Sequence, residues 1–464
     1  MAPTSRSRRL RLWAAALTAG TLVLAVPASA ADVDAGPLTS RDSLFPHQGN
    51  GGYNAQSYHL DLTYVRHGHA LKGLTTMTAR ARQDLTSFGL DLEGLNVSRV
   101  WVNGVRASFH RGSDKLVVTP VRELRTGSIF TTRIQYAGVP HTHVDPDGSS
   151  EGWIPTADGV VALNEPVGAM TWFPNNNTPR DKARYRFTIH APKRLEVASN
   201  GRLVRRTTRH GIGTWHYVMA KPMASYLAFL AIGQFKIHHG RTSDGIRLLS
   251  FTDPKVPAPT AALRKLPGIL HWLQTQFGPY PFADAGFVDD KIGVDYALET
   301  QTRPTFDGTV PITDLVHELA HQWFGDAVTP ADWGDIWLNE GFATYTEWLW
   351  AARTGESTED QFTELLAAHP AGDPFWQTPP QDLGDPANLF GNAVYERGAM
   401  TLEALRETIG DVAFNTTIRQ WYVGHRGQST STAEFIDLAE QTSGQDLTSF
   451  FHNWLDQPTR PTGW

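Results

Sequence analysis

Apolar and polar residues alternate along much of the chain between residues 53 and 235. Residues 58–64 follow this period of two, and so do residues 129–136. Alternation of this kind is typical of β-strands that bury one face. Asn103-Gly104 and Asn200-Gly201 interrupt the pattern and are typical of tight turns between strands. The pattern predicts an N-terminal antiparallel β domain that is similar to a sandwich.

Beyond residue 237 the spacing of apolar residues becomes helical. Four leucines fall on one stripe of a helix, namely Leu263, Leu266, Leu270 and Leu273. Further helices are predicted around His317 and His321 and over residues 339–352, 395–409, 431–441 and 446–455. The predicted fold class is therefore α+β with two domains. Residues 31–236 form the β domain, and residues 237–464 form a mainly helical second domain.

Residues 1–30 have the composition of a cleavable signal peptide. Four arginines surround the start of an apolar stretch over residues 12–26, and Ala28-Ser29-Ala30 offers a cleavage site. An apolar stretch of about 15 residues is too short to span a bilayer comfortably. The chain has no cysteine, which excludes disulfides and a lipoprotein anchor and favours a bacterial source. We therefore expect an exported, extracellular protein with no membrane span in its mature form.

The charge balance argues against nucleic acid or an anionic membrane as the main partner. The formal net charge is −6, and loss of the four arginines in residues 1–30 would make it −10. A surface of this sign repels polyanions.

Residues 317–321, with the sequence His-Glu-Leu-Ala-His, carry the most specific chemical pattern in the chain. Residues four apart share one face of a helix, so the imidazoles of His317 and His321 can reach one metal ion. Glu340 follows after 18 intervening residues and can supply a third ligand. Two nitrogens and one carboxylate leave the fourth tetrahedral position of Zn²⁺ open, which is typical of catalytic zinc. Glu318 is turned about 100° around the helix from His317, a position that suits a general base.

Two other polar segments carry weaker signals. His141 and His143 have no evident ligand partners in the sequence around them and are predicted to be surface residues. Asp145-Pro146-Asp147-Gly148 is similar to a fragment of a calcium-binding loop but lacks the remaining ligands.

The chain resembles the aminopeptidase N family of gluzincin zinc peptidases over nearly all of residues 31–464. Besides residues 317–326, the segments that carry the resemblance are Trp337-Leu338-Asn339-Glu340-Gly341-Phe342-Ala343, Tyr395-Glu396-Arg397-Gly398-Ala399, Phe277-Gly278-Pro279-Tyr280-Pro281-Phe282, and Trp172-Phe173-Pro174 with Asp181-Lys182-Ala183. The resemblance implies an N-terminal β domain on a thermolysin-like catalytic domain. Many family members continue into further domains, so a chain that ends at residue 464 resembles a compact two-domain member.

The resemblance also implies a role for each matching residue. His317, His321 and Glu340 match the ligands of one zinc ion per chain, and Glu318 matches the general base. Tyr395 matches a tyrosine whose hydroxyl stabilises the developing oxyanion. Glu299 matches a glutamate that binds the free α-ammonium of the substrate, and Glu165 lies where relatives carry a second amine-binding residue.

This chain departs from the family pattern on both sides of Glu299. Tyr296 stands where relatives carry glycine, and Thr300 stands where they carry asparagine. We expect the tyrosine ring to narrow the first side-chain pocket or to hinder binding.

The prediction from sequence is a secreted zinc aminopeptidase that acts on peptides with a free N-terminus. A zinc endopeptidase with an open cleft is the first alternative, and epoxide hydrolysis is a narrower variant of the same chemistry. An exported zinc-containing binding module with little or no activity is the second alternative, favoured only by the two substitutions beside Glu299.

Overall fold

A computed structural model describes residues 35–462 of the chain. These residues belong to one compact unit, Asp34–Trp464. The predicted signal peptide, residues 1–30, lies outside the described residues.

Residues 35–235 contain fifteen strands, so the part of the chain in which the pattern alternates is β-rich as predicted. The strands are β1 (Tyr53–Val65), β2 (Ala70–Ala81), β3 (Phe88–Asp91), β4 (Asn96–Val102), β5 (Val105–Arg111), β6 (Lys115–Thr119), β7 (Ile129–Gly138), β8 (Thr142–Val144), β9 (Ser150–Pro155), β10 (Val160–Leu163), β11 (Ala183–Pro192), β12 (Glu196–Ser199), β13 (Arg202–Arg209), β14 (Ile212–Met223) and β15 (Leu230–Gly233). Asn103 and Gly104 both have positive φ and close the two-residue hairpin between β4 and β5, which confirms that turn.

The strands form two sheets that share one apolar core. The first sheet has ten strands in the order β13-β14-β11-β1-β2-β7-β4-β5-β6-β3, and the second has five in the order β12-β15-β10-β9-β8. Alternate residues of β1, including Leu60 and Leu62, are buried in the same apolar core as Trp153 and Val160 of the second sheet. The predicted sandwich-like layering is present because each sheet has one apolar face to bury.

One pair of strands departs from the predicted antiparallel arrangement. β1 and β11 are parallel, with Tyr58 opposite Tyr185, while every other pair in the first sheet is antiparallel. Alternation reports which face of a strand is buried but not the direction of its neighbour, so the sequence pattern could not specify this pair.

The chain after residue 235 begins with a small mixed sheet and continues as helices. The sheet contains β16 (Lys236–Arg241), β17 (Arg247–Thr252), β18 (Asp284–Ala285), β19 (Val288–Asp290) and β20 (Thr305–Asp307), and a two-stranded sheet pairs β21 (Val328–Pro330) with β22 (Gln428–Thr430). The helices are α1 (Thr260–Phe277), α2 (Ile312–Ala320), α3 (Trp337–Ala351), α4 (Thr358–Ala368), α5 (Gly398–His425), α6 (Thr432–Ser443) and α7 (Thr448–Phe451). A π-helical turn, Ala393–Arg397, leads into α5, and another, His452–Asp456, follows α7.

The predicted helices are present with altered limits. A capping box of Ser431 and Glu434 begins α6, in the region where a helix over residues 431–441 is predicted. The helix predicted over residues 395–409 instead starts with the π turn and resumes after Gly410, where φ is 79°. The sequence analysis missed α4, which Ser357 and Asp360 cap in the same way.

Buried hydrogen bonds connect the β-rich part of the chain to the helical part. Arg303 Nη1 donates to the carbonyl oxygens of Ser199 (2.8 Å) and Gly201 (2.6 Å). Lys182 Nζ donates to the carbonyl oxygen of Asp326 (2.8 Å). The boundary between residues 236 and 237 stays a prediction, since both parts lie within one compact unit.

No helix within residues 35–462 is long and apolar enough to cross a membrane.

Candidate metal centre and substrate cleft

Helices α2 and α3 bring three predicted metal ligands together. His317 lies in α2, His321 follows its last residue, and Glu340 lies in the first turn of α3. Glu340 Oε2 is 3.3 Å from His317 Nε2 and 3.4 Å from His321 Nε2. Ligand atoms about 2.0–2.1 Å from a tetrahedral zinc ion are about 3.4 Å apart, so the donor set fits zinc.

The far nitrogen of each imidazole is held by an acceptor, which leaves Nε2 directed at Glu340. His317 Nδ1 is 2.5 Å from Glu347 Oε1, and His321 Nδ1 is 3.1 Å from the carbonyl oxygen of Phe324. A proton on Nδ1 satisfies both contacts and leaves a lone pair on Nε2. Metal-binding histidines are oriented in this way by their outer partners.

The acidic residues of the cluster differ in protonation because their surroundings differ. Burial opposes ionisation of Glu340, but contact with His321 and His317 lowers its pKa to about 2. Burial raises the pKa of Glu318 to about 8, against the opposite influence of His317 and His321. The carboxyl of Glu340 is therefore ionised at neutral pH, and that of Glu318 can exchange a proton there.

Two glycines allow α3 and α5 to approach closely beside this cluster. A Cβ on Gly341 would lie 2.8 Å from the carbonyl carbon of Gly398, and a Cβ on Gly398 would lie 2.9 Å from the Cα of Gly341. Tyr395, three residues before Gly398, is thereby carried to the metal ligands. Its ring stacks on that of His317 with the centroids 6.0 Å apart.

A second acidic group adjoins the ligands. Glu165 comes from the segment after β10 and Glu299 from the segment before β20, and their carboxylates gather with Glu340 so that one oxygen of each lies within 4.8 Å of the others. All three side chains are buried. Glu165 Oε1 and Glu299 Oε1 are buried and accept no hydrogen bond from an N–H or hydroxyl group in the described part of the chain, and the two carboxyls can hydrogen-bond to each other only when one of them holds a proton. Burial, followed by the repulsion of Glu299, raises the pKa of Glu165 well above its ordinary value.

Tyr296 and Thr300, the two residues that depart from the family pattern, have different surroundings. Tyr296 lines the cleft, and its hydroxyl donates to the carbonyl oxygen of Ser150 (2.8 Å). Thr300 is buried, and its hydroxyl donates to the carbonyl oxygen of Arg303 (2.5 Å). The substitution at residue 300 therefore serves the local turn, and only the tyrosine shapes the cleft.

The cleft has a volume of about 170 Å³ and contains every predicted site residue. The lining residues are Asp147, Ser149, Glu165, Tyr296, Ala297, Leu298, Glu299, His317, Glu318, His321, Glu340, Phe390 and Tyr395.

Comparison with known proteins places both parts of the chain in one family. Residues 54–227 match the Peptidase M1 N-terminal domain, and residues 299–454 match the Peptidase family M1 domain. A solved structure of a variant of the M1 zinc metallopeptidase from Deinococcus radiodurans, bound to Tyr-Ser-Ala, is 31% identical. It superimposes with a TM-score of 0.84 and covers 91% of this chain and 99% of its own. The chain belongs to peptidase family M1.

Curated M1 relatives are longer and more distant. Aminopeptidase N of Streptomyces lividans is 24% identical over 86% of this chain and 49% of its own length. Aminopeptidase N of Lactococcus lactis is 24% identical over 88% of this chain and 51% of its own length. The chain thus spans about half the length of these two relatives.

Membership of family M1 confirms the expected fold class, and the cleft brings together all seven residues that the sequence singled out. Glu347, which lies two turns beyond Glu340 in α3 and contacts His317, was not predicted from the sequence. The sequence analysis also missed Asp147, Ser149 and Phe390, which lie in the cleft wall. Seven-residue spacing from Glu340 was the available signal for Glu347, because it places both carboxylates on one helix face.

Proposed function

We propose that this M1 chain is a zinc aminopeptidase that removes N-terminal residues from peptides. The observation that carries the proposal is the pair of buried carboxyls of Glu165 and Glu299 beside the candidate metal ligands, each with an oxygen that accepts no hydrogen bond from an N–H or hydroxyl group in the described part of the chain. A substrate α-ammonium would bring three N–H donors and a positive charge to these acceptors. The first peptide bond would then lie next to the metal ligands.

His317, His321 and Glu340 would hold the ion. Bound zinc supplies Lewis-acid chemistry there, polarising a carbonyl group and lowering the pKa of water. Glu318 would accept a proton from the attacking water and pass it to the leaving amine, a task that suits a carboxyl group with a pKa near neutrality. The hydroxyl of Tyr395 would donate to the oxygen that becomes negatively charged.

Export of the mature chain also belongs to this proposal. It rests on the basic, apolar and small-residue pattern of residues 1–30.

The test is hydrolysis of aminoacyl-arylamides with a free amine beside N-acetylated counterparts, with and without a zinc chelator. We expect hydrolysis of the free-amine substrates only, and its loss on chelation. Comparable cleavage of the acetylated substrates would support the endopeptidase alternative instead. No turnover of either kind by the zinc-loaded protein would favour the binding module.

Two variants connect the activity to the geometry. Glu318→Gln should retain zinc and lose turnover, since the amide cannot accept the proton.

Glu299→Gln should lower kcat/KM for free-amine substrates by roughly 10–100-fold, which corresponds to the loss of one charged hydrogen bond. Glu364→Gln on the exposed face of α4 is the matched control, and an equal loss in that variant would contradict both roles.

A further inference from the structure

A second cluster of metal-ligand side chains lies on the hairpin of β8 and β9. His143 stands directly opposite Glu151 in the antiparallel register. Opposed residues project from the same face of a sheet, and Asp145, two residues beyond His143, projects with them. One ligand atom from each of these three residues lies within 4.8 Å of the other two.

The two carboxylates of this cluster are withdrawn from solvent. The Asp145 side chain is 3% exposed, and Glu151 as a residue is 1% exposed. Glu151 accepts hydrogen bonds from the backbone N–H of Val167 at 3.1 and 3.2 Å. Neither oxygen of Asp145 accepts a hydrogen bond from an N–H or hydroxyl group among residues 35–462, and its side-chain partner is the carboxyl of Glu151, a contact that requires a proton between the two. A buried carboxylate in this condition needs a proton or a cation.

His143 is oriented as a ligand of this cluster. Its Nδ1 lies 3.3 Å from Glu93 Oε2, so a proton on Nδ1 donates to Glu93. Its Nε2 lies 3.8 Å from Asp145 Oδ1, which is beyond hydrogen-bond distance and leaves room for an ion between the two atoms. The contact between Glu93 and His143 repeats the one between Glu347 and His317 in the candidate metal centre.

Electrostatics favour a cation at this place. Burial raises the pKa of Asp145 to about 7, and burial followed by the repulsion of Asp145 raises the pKa of Glu151 well above its ordinary value. A divalent ion would let both ionise and would fill the gap beside Nε2. An imidazole with two carboxylates suits the zinc and manganese class, whereas calcium prefers oxygen ligands alone.

We propose that His143, Asp145 and Glu151 bind a second divalent metal ion of the zinc or manganese class, with Glu93 positioning His143. This corrects the expectation that His143 is an ordinary surface histidine with no carboxylates at ligand distance. The short loop within this hairpin carries Asp147 and Ser149 to the substrate cleft, and Tyr296 donates to Ser150. The second ion therefore anchors the cleft wall that faces the substrate's first side chain, a consequence that rests on the proposed function.

The test is a metal count on the mature chain, independent of activity. Protein loaded with excess Zn²⁺, and separately with Mn²⁺ or Ca²⁺, is dialysed against metal-free buffer and measured by mass spectrometry. We expect two zinc ions per wild-type chain, one in Asp145→Asn, one in His321→Ala and none in the double variant. Asp147→Asn, a neighbouring carboxylate outside the cluster, should retain two.

Three results would overturn the second site. One ion in the wild type with none in His321→Ala would mean that Asp145 and Glu151 share a proton instead. Two ions in Asp145→Asn would place the second ion elsewhere. Retention of Ca²⁺ without Zn²⁺ or Mn²⁺ would refute the metal class. If circular dichroism shows that Asp145→Asn does not fold, the metal count is repeated on His143→Ala, because the His143 side chain is partly exposed and its loss is better tolerated.

Kinetics then test the consequence for the cleft. In Asp145→Asn we expect a higher KM for aminoacyl-arylamides with kcat within twofold of wild type. If Asp145→Asn loses the second ion but keeps the wild-type KM, the metal site is supported and its effect on the cleft is refuted. Absence of hydrolysis in the wild type would instead count against the proposed function.

Discussion

At the scale of single residues, the group that accepts the Nδ1 proton of a candidate ligand histidine affects metal binding as much as the histidine itself. Glu347 lies outside the predicted ligand set, yet its carboxylate is 2.5 Å from His317 Nδ1. A proton held there fixes the tautomer and strengthens Nε2 as a donor to a metal ion. The sequence contains other glutamates on helical faces, and only the contact distinguishes this one.

Glu347→Ala should weaken zinc binding by about 10–100-fold, the usual cost of losing an outer-shell partner. Glu347→Gln should weaken it less, because the amide oxygen can still accept the Nδ1 proton. Competition with a chromogenic chelator measures both affinities, with Glu364→Gln as the exposed control. Equal affinities in all three variants would show that Glu347 does not orient His317.

Another residue-scale effect concerns Asp289 in β19. Burial, the largest cause, and the nearby carboxylates of Asp253 and Asp307 raise its pKa to about 7. A carboxyl whose pKa is raised on folding contributes stability at pH values below its unfolded pKa, and this contribution is lost as the pH rises towards 7.

Asp289→Asn removes that titration and keeps the side-chain shape. Its melting temperature should match that of wild type near pH 4 and exceed it at pH 8. Differential scanning calorimetry across this range, on protein with a fixed metal content, tests the prediction. A variant that is less stable than wild type at pH 8 would mean that the ionised carboxylate is stabilised in the fold.

At the scale of elements, the crossing of α3 and α5 brings Tyr395 close to Glu340, one of the candidate metal ligands. The helices meet at Gly341 and Gly398 with no room for a side chain on either. A wider crossing would displace the tyrosine relative to the ligands, because the π turn that carries Tyr395 runs directly into α5. Helix propensity alone disfavours glycine at both positions, so close packing is the reason for glycine here.

Gly341→Ala should destabilise the protein by about 1–3 kcal/mol, as an overpacked core does, and should lower activity. Gly268→Ala, on the exposed face of α1 with nothing near its added methyl group, should stabilise by up to about 1 kcal/mol. Urea unfolding of both variants measures the contrast. A stabilising Gly341→Ala would refute the close crossing.

At the scale of the whole molecule, the β-rich part and the helical part depend on each other. Glu165 enters the cleft from the first part, and Glu299 meets it from the second. Buried Arg303 holds the segment after Glu299 in place by donating to the carbonyl oxygens of Ser199, Gly201 and Leu249. The amine-binding geometry that we propose therefore exists only when both parts are docked.

Arg303→Met should cost several kcal/mol of unfolding free energy, since each unpaired buried carbonyl costs about 1–3 kcal/mol. Arg202→Met should change the unfolding free energy by less than about 0.5 kcal/mol, because the Arg202 side chain is half-exposed and its ion-pair partner is Asp284. Urea denaturation compares the two, and similar losses would contradict the docking role of Arg303.

Much of the fold and of the cleft followed from the order of residues alone. The period of two from residue 53 identified the β-rich part, and the helix predicted over residues 431–441 corresponds to α6. The parallel pairing of β1 with β11 and the extension of α5 beyond Gly410 did not follow. Periodicity describes one element against a generic core, whereas strand direction and helix continuation depend on which neighbour is present.

The same division holds for the sites. The sequence by itself determined the spacing of His317, Glu318 and His321, because helix geometry places residues four apart on one face. Only the tertiary structure decided that Glu165 meets Glu299, that Glu347 supports His317 and that Glu151 lies near Asp145. Two of these contacts join different elements of the fold: Glu165 after β10 meets Glu299 before β20, and Glu347 of α3 meets His317 of α2. Seven-residue spacing places Glu347 on the helix face of Glu340, but only the packing of α3 against α2 brings it to His317.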